Sequence, residues 1–102
     1  MTNVTPEEVK QRLDAGEKLN LVDVREPHEH AEFNIGGQLL PIGKIQSLQI
    51  EDLEDLKNEE IILYCKSGTR SGISAAFLDQ LGFTNTKNLS GGMLAWQEKY
   101  KV

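Results

Sequence analysis

Ile61-Ile62-Leu63-Tyr64-Cys65-Lys66-Ser67-Gly68-Thr69-Arg70-Ser71 is the stretch on which the fold turns. Its first four residues are apolar, with β-branched and aromatic members and no polar break. Such a run suits a strand buried on both faces of a parallel sheet. A glycine and several small polar residues follow. From Ser71 to Leu81 the apolar residues Ile73, Ala76, Phe77 and Leu81 recur near the helical period, and Gly82 supplies a stop. The segment reads as a buried strand, a short loop and a helix.

The flanks repeat that alternation. Thr5, Pro6 and Glu8 form a capping-box pattern with proline at the first helical position. Val9 and Leu13 share one face of that helix, and Gly16 ends it. Leu19 to Val24 reads as a strand, and His28 to Phe33 as a helical turn or two. Gly36-Gly37 breaks the chain before a second strand from Gln38 to Ile42. Gly43 to Lys57 is polar, with Ile45, Leu48, Ile50, Leu53 and Leu56 spaced for one or two short helices. Asn58-Glu59-Glu60 turns the chain into Ile61. Beyond Gly82, Thr86 to Leu89 is a further strand, Ser90-Gly91-Gly92 a loop, and Met93 to Tyr100 a closing helix with Trp96 on its apolar side. Alternating strands and helices predict an α/β layered domain with a mainly parallel sheet.

The 102 residues fit one domain, residues 1–102. An apolar fraction of 38% and a charged fraction of 26% are those of a globular chain. The net charge of -5 argues against non-specific nucleic-acid binding and against docking on an anionic membrane. A single cysteine cannot form an internal disulfide, which fits a reducing compartment. Neither a secretory leader nor an apolar run of membrane-spanning length is present, so a cytoplasmic location is expected.

In open α/β sheets, ligands bind outside the carboxyl ends of the strands. Two strands here end in reactive or charged residues: one at Asp23-Val24-Arg25, the other at Cys65. After Cys65, the small residues Ser67, Gly68, Thr69 and Ser71 let successive amides turn inward as an anion-binding concavity. The following helix adds its positive N-terminal end, and Lys66 and Arg70 add formal charge. Such surroundings favour thiolate and can lower a cysteine pKa from ~8.5 to between ~3.5 and ~7.5. A lone cysteine can equally be a small buried hydrophobe, and a glycine turn a mere connection. The residues alone therefore point to an anion-handling thiolate without fixing its substrate.

Taken together, several segments resemble the rhodanese family. They are Leu21-Val22-Asp23-Val24-Arg25-Glu26, then Glu29 to Phe33 with Asn34-Ile35-Gly36-Gly37, then Cys65 to Ser71, and finally Ser90-Gly91-Gly92-Met93 with Ala95-Trp96. They stand in the family's order and spacing over nearly the whole chain. Asn34 departs from the common pattern, in which Gly-His-Ile stands near this point. The resemblance implies a three-layer rhodanese-like domain: a central, mainly parallel five-stranded sheet flanked by helices. It implies that Cys65 carries sulfur as a persulfide and that Lys66, Ser67, Gly68, Thr69 and Arg70 hold the substrate. It implies transfer of sulfane sulfur from a donor such as thiosulfate to a thiol or cyanide. A sulfur-carrier protein or thioredoxin is a further possible acceptor, and no cofactor is called for.

Asp23 and Arg25 are expected to be structural, tying down loop amides and bridging segments, with Ser71 supporting the loop. His28 and His30 read as a solvated loop, since a metal site needs more ligands. Trp96 reads as core packing, and the acidic residues Glu51, Asp52, Glu54, Asp55, Glu59 and Glu60 as a solvated face. Two other functions compete. Cysteine phosphatases and arsenate reductases use a similar loop with one residue more between Cys and Arg, leaving a hole for a tetrahedral oxyanion. Here four residues separate Cys65 from Arg70, which better matches one sulfur atom. A catalytically silent or partner-dependent module is the second, although such domains usually lack the cysteine.

Overall fold

A computed structural model describes residues 1–100. The chain runs β1 (Thr2–Val4), α1 (Pro6–Asp14), β2 (Leu21–Asp23), α2 (Pro27–Glu32), β3 (Gln38–Leu39), α3 (Ile42–Gln46), a 3-10 helix (Glu51–Leu56), β4 (Ile61–Tyr64), α4 (Thr69–Gln80), β5 (Thr86–Leu89) and α5 (Gly92–Tyr100). The strands form one sheet in the order β1-β5-β4-β2-β3, and every neighbouring pair is parallel. The α/β layering read from the residues and the five-stranded parallel sheet implied by the resemblance are therefore both present.

Side-chain alternation along β4 divides the core in two. Ile61, Leu63 and Cys65 face one layer with Val22, Val24, Leu40, Ile45, Leu53, Ala75, Leu78 and Phe83. Ile62 and Tyr64 face the other, with Val4, Val9, Leu21, Leu89, Met93 and Trp96. Helices α3 and α4 cover the first face, and α1 and α5 the second. The alternation thus places the Cys65 side chain on the α4 side of the sheet. Trp96 is buried and its ring lies 5.0 Å from that of Tyr100, as a packing residue should.

Several boundaries differ from those expected. β1 is an addition: at the sheet edge it buries only Val4, so the sequence carries almost no apolar signal there. The strand expected over Gln38 to Ile42 stops at Leu39, because Pro41 leads directly into α3 at Ile42. α4 begins at Thr69, two residues earlier than expected, since the Gly68 carbonyl accepts the Gly72 amide at 3.1 Å and opens the helix. Thr5 caps α1 by accepting the Glu8 amide at 3.1 Å. No helix of the described residues is long and apolar enough to cross a membrane.

Glu60 does not belong to a solvated acidic face. Its carboxylate accepts from Arg12 Nη2 at 2.6 Å and from Lys87 Nζ at 2.9 Å, joining the end of α1 to the starts of β4 and β5. The Arg12 hydrogen bond, helped by Lys87 and opposed by burial, holds the carboxyl down at about 2 from an ordinary value of 4.5. A depressed carboxyl stabilises the fold fully above its unfolded value, and the effect disappears as pH falls through the folded one. Glu60→Gln should therefore lose roughly 1 kcal/mol at pH 7, after allowance for solvent screening. Urea unfolding at a series of pH values should show the gap from the parent closing between pH 4.5 and about 2.

Candidate active site

Cys65 lies at the carboxyl end of β4, where the N-terminus of α5 meets it. The Met93 amide donates to the Cys65 carbonyl and the Leu94 amide to the Lys66 carbonyl, both at 2.9 Å. These two bonds satisfy first-turn amides that a helix cannot pair internally. They also turn the carbonyls of the Cys65 loop toward α5, leaving its later amides free to face the sulfur. The approach is so close that a Cβ on Gly92 would fall 2.5 Å from the Cys65 carbonyl oxygen. Gly68, at φ +100°, bends the chain back over the side chain in a conformation suited to glycine.

The outcome is a sulfur ringed by donors. Gly68 N lies 3.1 Å from Sγ, Ser71 N 3.4 Å and Ser71 Oγ 3.3 Å. Burial of the residue, which is 1% exposed, pushes the thiol pKa up. Hydrogen bonds from the Ser71 hydroxyl and from the amides of Ser71, Gly68 and Ser67 outweigh it, so the thiol lies below its ordinary value.

The cations are arranged differently from the sequence expectation. Arg70 forms a fork with Glu29 on α2, at 2.8 Å to Oε1 and 3.0 Å to Oε2. Its fork is committed there; hydrogen bonds make the largest contributions to the lowering of the thiol, and Arg70 is coupled to Cys65 by a weaker coulombic interaction. Glu29, which also accepts the Glu26 amide at 3.0 Å, is held at about 2, chiefly by Arg70. Lys66, Ser67 and Thr69 are exposed, and among the described residues Lys66 has no carboxylate partner. Lys66 and Arg25 also border an open cavity of about 620 Å³, together with His28, Glu32, Leu94 and Gln97.

Asp23 and Arg25 hold the frame beside the loop. Buried Asp23 accepts from the Arg25 amide and Nε through Oδ1, at 3.0 and 2.9 Å, and from Arg25 Nη2 through Oδ2 at 2.8 Å. Arg25 Nη2 also donates to the Phe33 carbonyl at 2.6 Å, fastening the end of α2. His28 and His30 lie on α2, not on a loop. His28 is exposed, whereas His30 Nδ1 lies 2.8 Å from Asp23 Oδ2 and joins this group. Among the described residues, no group of three or more His, Cys, Asp or Glu side chains is placed to hold a metal.

Two partners escape a sequence reading. Glu29, which occupies Arg70, stands 41 residues from it. Asn88, on β5, contacts both the loop and Ser71. Its one signal is an amide side chain in an otherwise buried strand end.

Comparison with known proteins decides the family. A rhodanese-like domain profile matches residues 5–99. The chain belongs to the rhodanese-like domain family. A sulfurtransferase of Allochromatium vinosum is 37% identical over 97 residues, covering 94% of this chain and 88% of that protein. A Mycobacterium tuberculosis protein described as a probable adenylyltransferase/sulfurtransferase, MoeZ, is 39% identical over 100 residues. That match covers 96% of this chain but only 25% of MoeZ, so the chain spans a quarter of that relative's length. The crystal structure of a rhodanese-like domain protein from Staphylococcus aureus superimposes with a TM-score of 0.82 at 30% identity, over 94% of this chain and 91% of that one.

The contact between α5 and the rhodanese-like loop sets a clear expectation. Gly92→Ala should force α5 from the Cys65 carbonyl and cost about 1–3 kcal/mol. Thermal unfolding should show the loss, while Gly43→Ala, whose added methyl meets open space, should leave stability unchanged or slightly raised.

Proposed function

We propose that this protein is a sulfurtransferase that carries sulfane sulfur as a persulfide on Cys65. The ring of amide and hydroxyl donors around Sγ carries this reading, and sulfurtransferase relatives support it. The Cys65 thiolate attacks the outer sulfur of a donor of the thiosulfate class. A new S–S bond forms on Cys65, and the donor's S–S bond breaks with its electron pair leaving on sulfite. A nucleophilic acceptor then attacks the terminal sulfur, and Cys65 departs as the thiolate. Dividing the transfer this way replaces one difficult displacement with two easier ones.

In this scheme the amides of Lys66, Ser67, Gly68, Thr69 and Arg70 hold the terminal sulfur. Lys66, exposed beside the cavity, attracts anionic donors, and Arg70 fixes the loop through Glu29. Asp23, Arg25 and Ser71 keep the frame. The open cavity of about 620 Å³ beside the loop, lined by Lys66 and Met93 though not by Cys65 itself, leaves room next to the site for an organic thiol or a protein segment as acceptor. A Bacillus subtilis relative described as a putative sulfur carrier protein, 34% identical over 97 residues, supports a sulfur-carrier protein as one such partner. A nucleophile that must stay reduced suits the cytoplasm. Phosphatase chemistry is less well supported, because Arg70 is engaged by Glu29 outside the loop.

Thiosulfate should add the mass of one sulfur atom to the intact protein, cyanide should remove it, and Cys65→Ser should never acquire it. Absence of the adduct with thiosulfate and with every persulfide-bearing donor would refute the proposal. Lys66→Gln should raise KM for thiosulfate several-fold and leave kcat within about twofold, because a lost docking charge weakens ground and transition states alike. Initial rates over a range of thiosulfate concentrations separate the two constants.

A further inference from the structure

Asn88 is a buried polar side chain that the transfer scheme does not use. It pairs in register with Leu63 of β4, two residues before Cys65, and so faces the α4 side of the sheet. Its Nδ2 donates to the Gly68 carbonyl at 3.2 Å, and its Oδ1 accepts from Ser71 Oγ at 2.5 Å. The Gly68 carbonyl can only accept, so it fixes which end of the Asn88 amide faces Ser71. Gly72 completes the fit: a Cβ there would stand 3.3 Å from Asn88 Nδ2.

Ser71 Oγ therefore has two acceptors in reach, Asn88 Oδ1 at 2.5 Å and Cys65 Sγ at 3.3 Å. A hydroxyl has one proton and can serve one of them at a time. While Cys65 is a thiol, the shorter contact keeps that proton on the Asn88 side, and Ser71 Oγ is left to accept from S–H. When Cys65 loses its proton to solvent, the charged sulfur becomes the stronger acceptor. Rotation about the Ser71 Cβ–Oγ bond then breaks the contact to Oδ1 and makes the one to Sγ.

We propose that Asn88 is a positioning residue for sulfur transfer, holding the Ser71 proton while Cys65 is a thiol and yielding it when the sulfur is charged. The proposal deepens the sulfurtransferase reading and rests on it for its purpose. Competition from Asn88 keeps the thiolate from being over-stabilised, and nucleophilicity falls as a thiol's pKa falls. Other charged and titratable groups near Cys65 are Lys66 and Arg70 with its partner Glu29, Tyr64, and Asp23 with Arg25 and His30. None is altered in the variants below.

The test is titration of the Cys65 thiolate by its ultraviolet absorbance in the parent, Asn88→Ala, Ser71→Ala and the double variant. Freed from its competitor, Ser71 should serve the thiolate better. Asn88→Ala should then raise the thiolate-to-thiol ratio at a fixed pH by about fivefold, the worth of one hydrogen bond. Ser71→Ala should lower that ratio, and adding Asn88→Ala to it should change nothing further. A purely structural Asn88 gives the opposite sign, because a loosened loop loses amide donors. A fall in the ratio in Asn88→Ala, no change, or a rise that persists without Ser71 would overturn the proposal. Asn88→Leu, similar in size and apolar, replaces the alanine variant if that fails to fold. The titration needs no sulfur donor, so its failure is separate from a failure of Cys65 to accept sulfur.

Discussion

Two hydrogen bonds at the start of α5 hold the site in its shape. By donating to the carbonyls of Cys65 and Lys66, the amides of Met93 and Leu94 fix the direction in which the loop's remaining amides point. The bonds form only because Gly92 lets two backbones approach more closely than any side chain would permit. Burial of Met93 and Trp96 holds α5 on the sheet, so the packing of one face sets the electrostatics of a sulfur on the other. The sulfur is itself a compromise. Burial opposes its charge, and hydrogen bonds from the Ser71 hydroxyl and amide and the Gly68 amide, helped by the nearby Ser67 amide, overcome that opposition. A preorganised ring of donors can stabilise developing charge without reorganising during the reaction.

Formal charge plays a supporting part. Arg70 is spent on Glu29, and Arg25 on Asp23 and the Phe33 carbonyl. Both pairs tie α2 to the ends of the central strands and to the start of α4. With those pairs closed, Lys66 is left exposed beside the cavity, without a carboxylate partner among the described residues. Under the proposed function the roles separate: dipoles of the loop would hold the sulfur, ion pairs hold the loop, and the exposed Lys66 would meet the donor.

Much of this was readable in the chain. The apolar run Ile61 to Tyr64 specified a central strand, and Cys65 followed it at the carboxyl end where α/β sites lie. Capping at Thr5 and the stop at Gly82 marked helix ends by local chemistry alone. β1 escaped because an edge strand burying one side chain has almost no periodicity to detect. Roles that depend on partners far along the chain escaped for another reason. That Arg70 faces Glu29, and that Asn88 shares the Ser71 proton, depend on the packing of α2 and β5, and no local pattern encodes it. Glu60 looked like one more member of an acidic surface run until the end of α1 and the start of β5 closed on it.

The central claim is that loop amides, not side-chain charges, hold a sulfur atom on Cys65. A crystal structure of the protein after treatment with a sulfur donor tests it most directly. The account predicts a second sulfur bonded to Sγ, within hydrogen-bond distance of amides between Ser67 and Arg70, with the Arg70–Glu29 fork intact. A second sulfur turned out of the loop, or Arg70 released from Glu29 to bind it, would contradict the account.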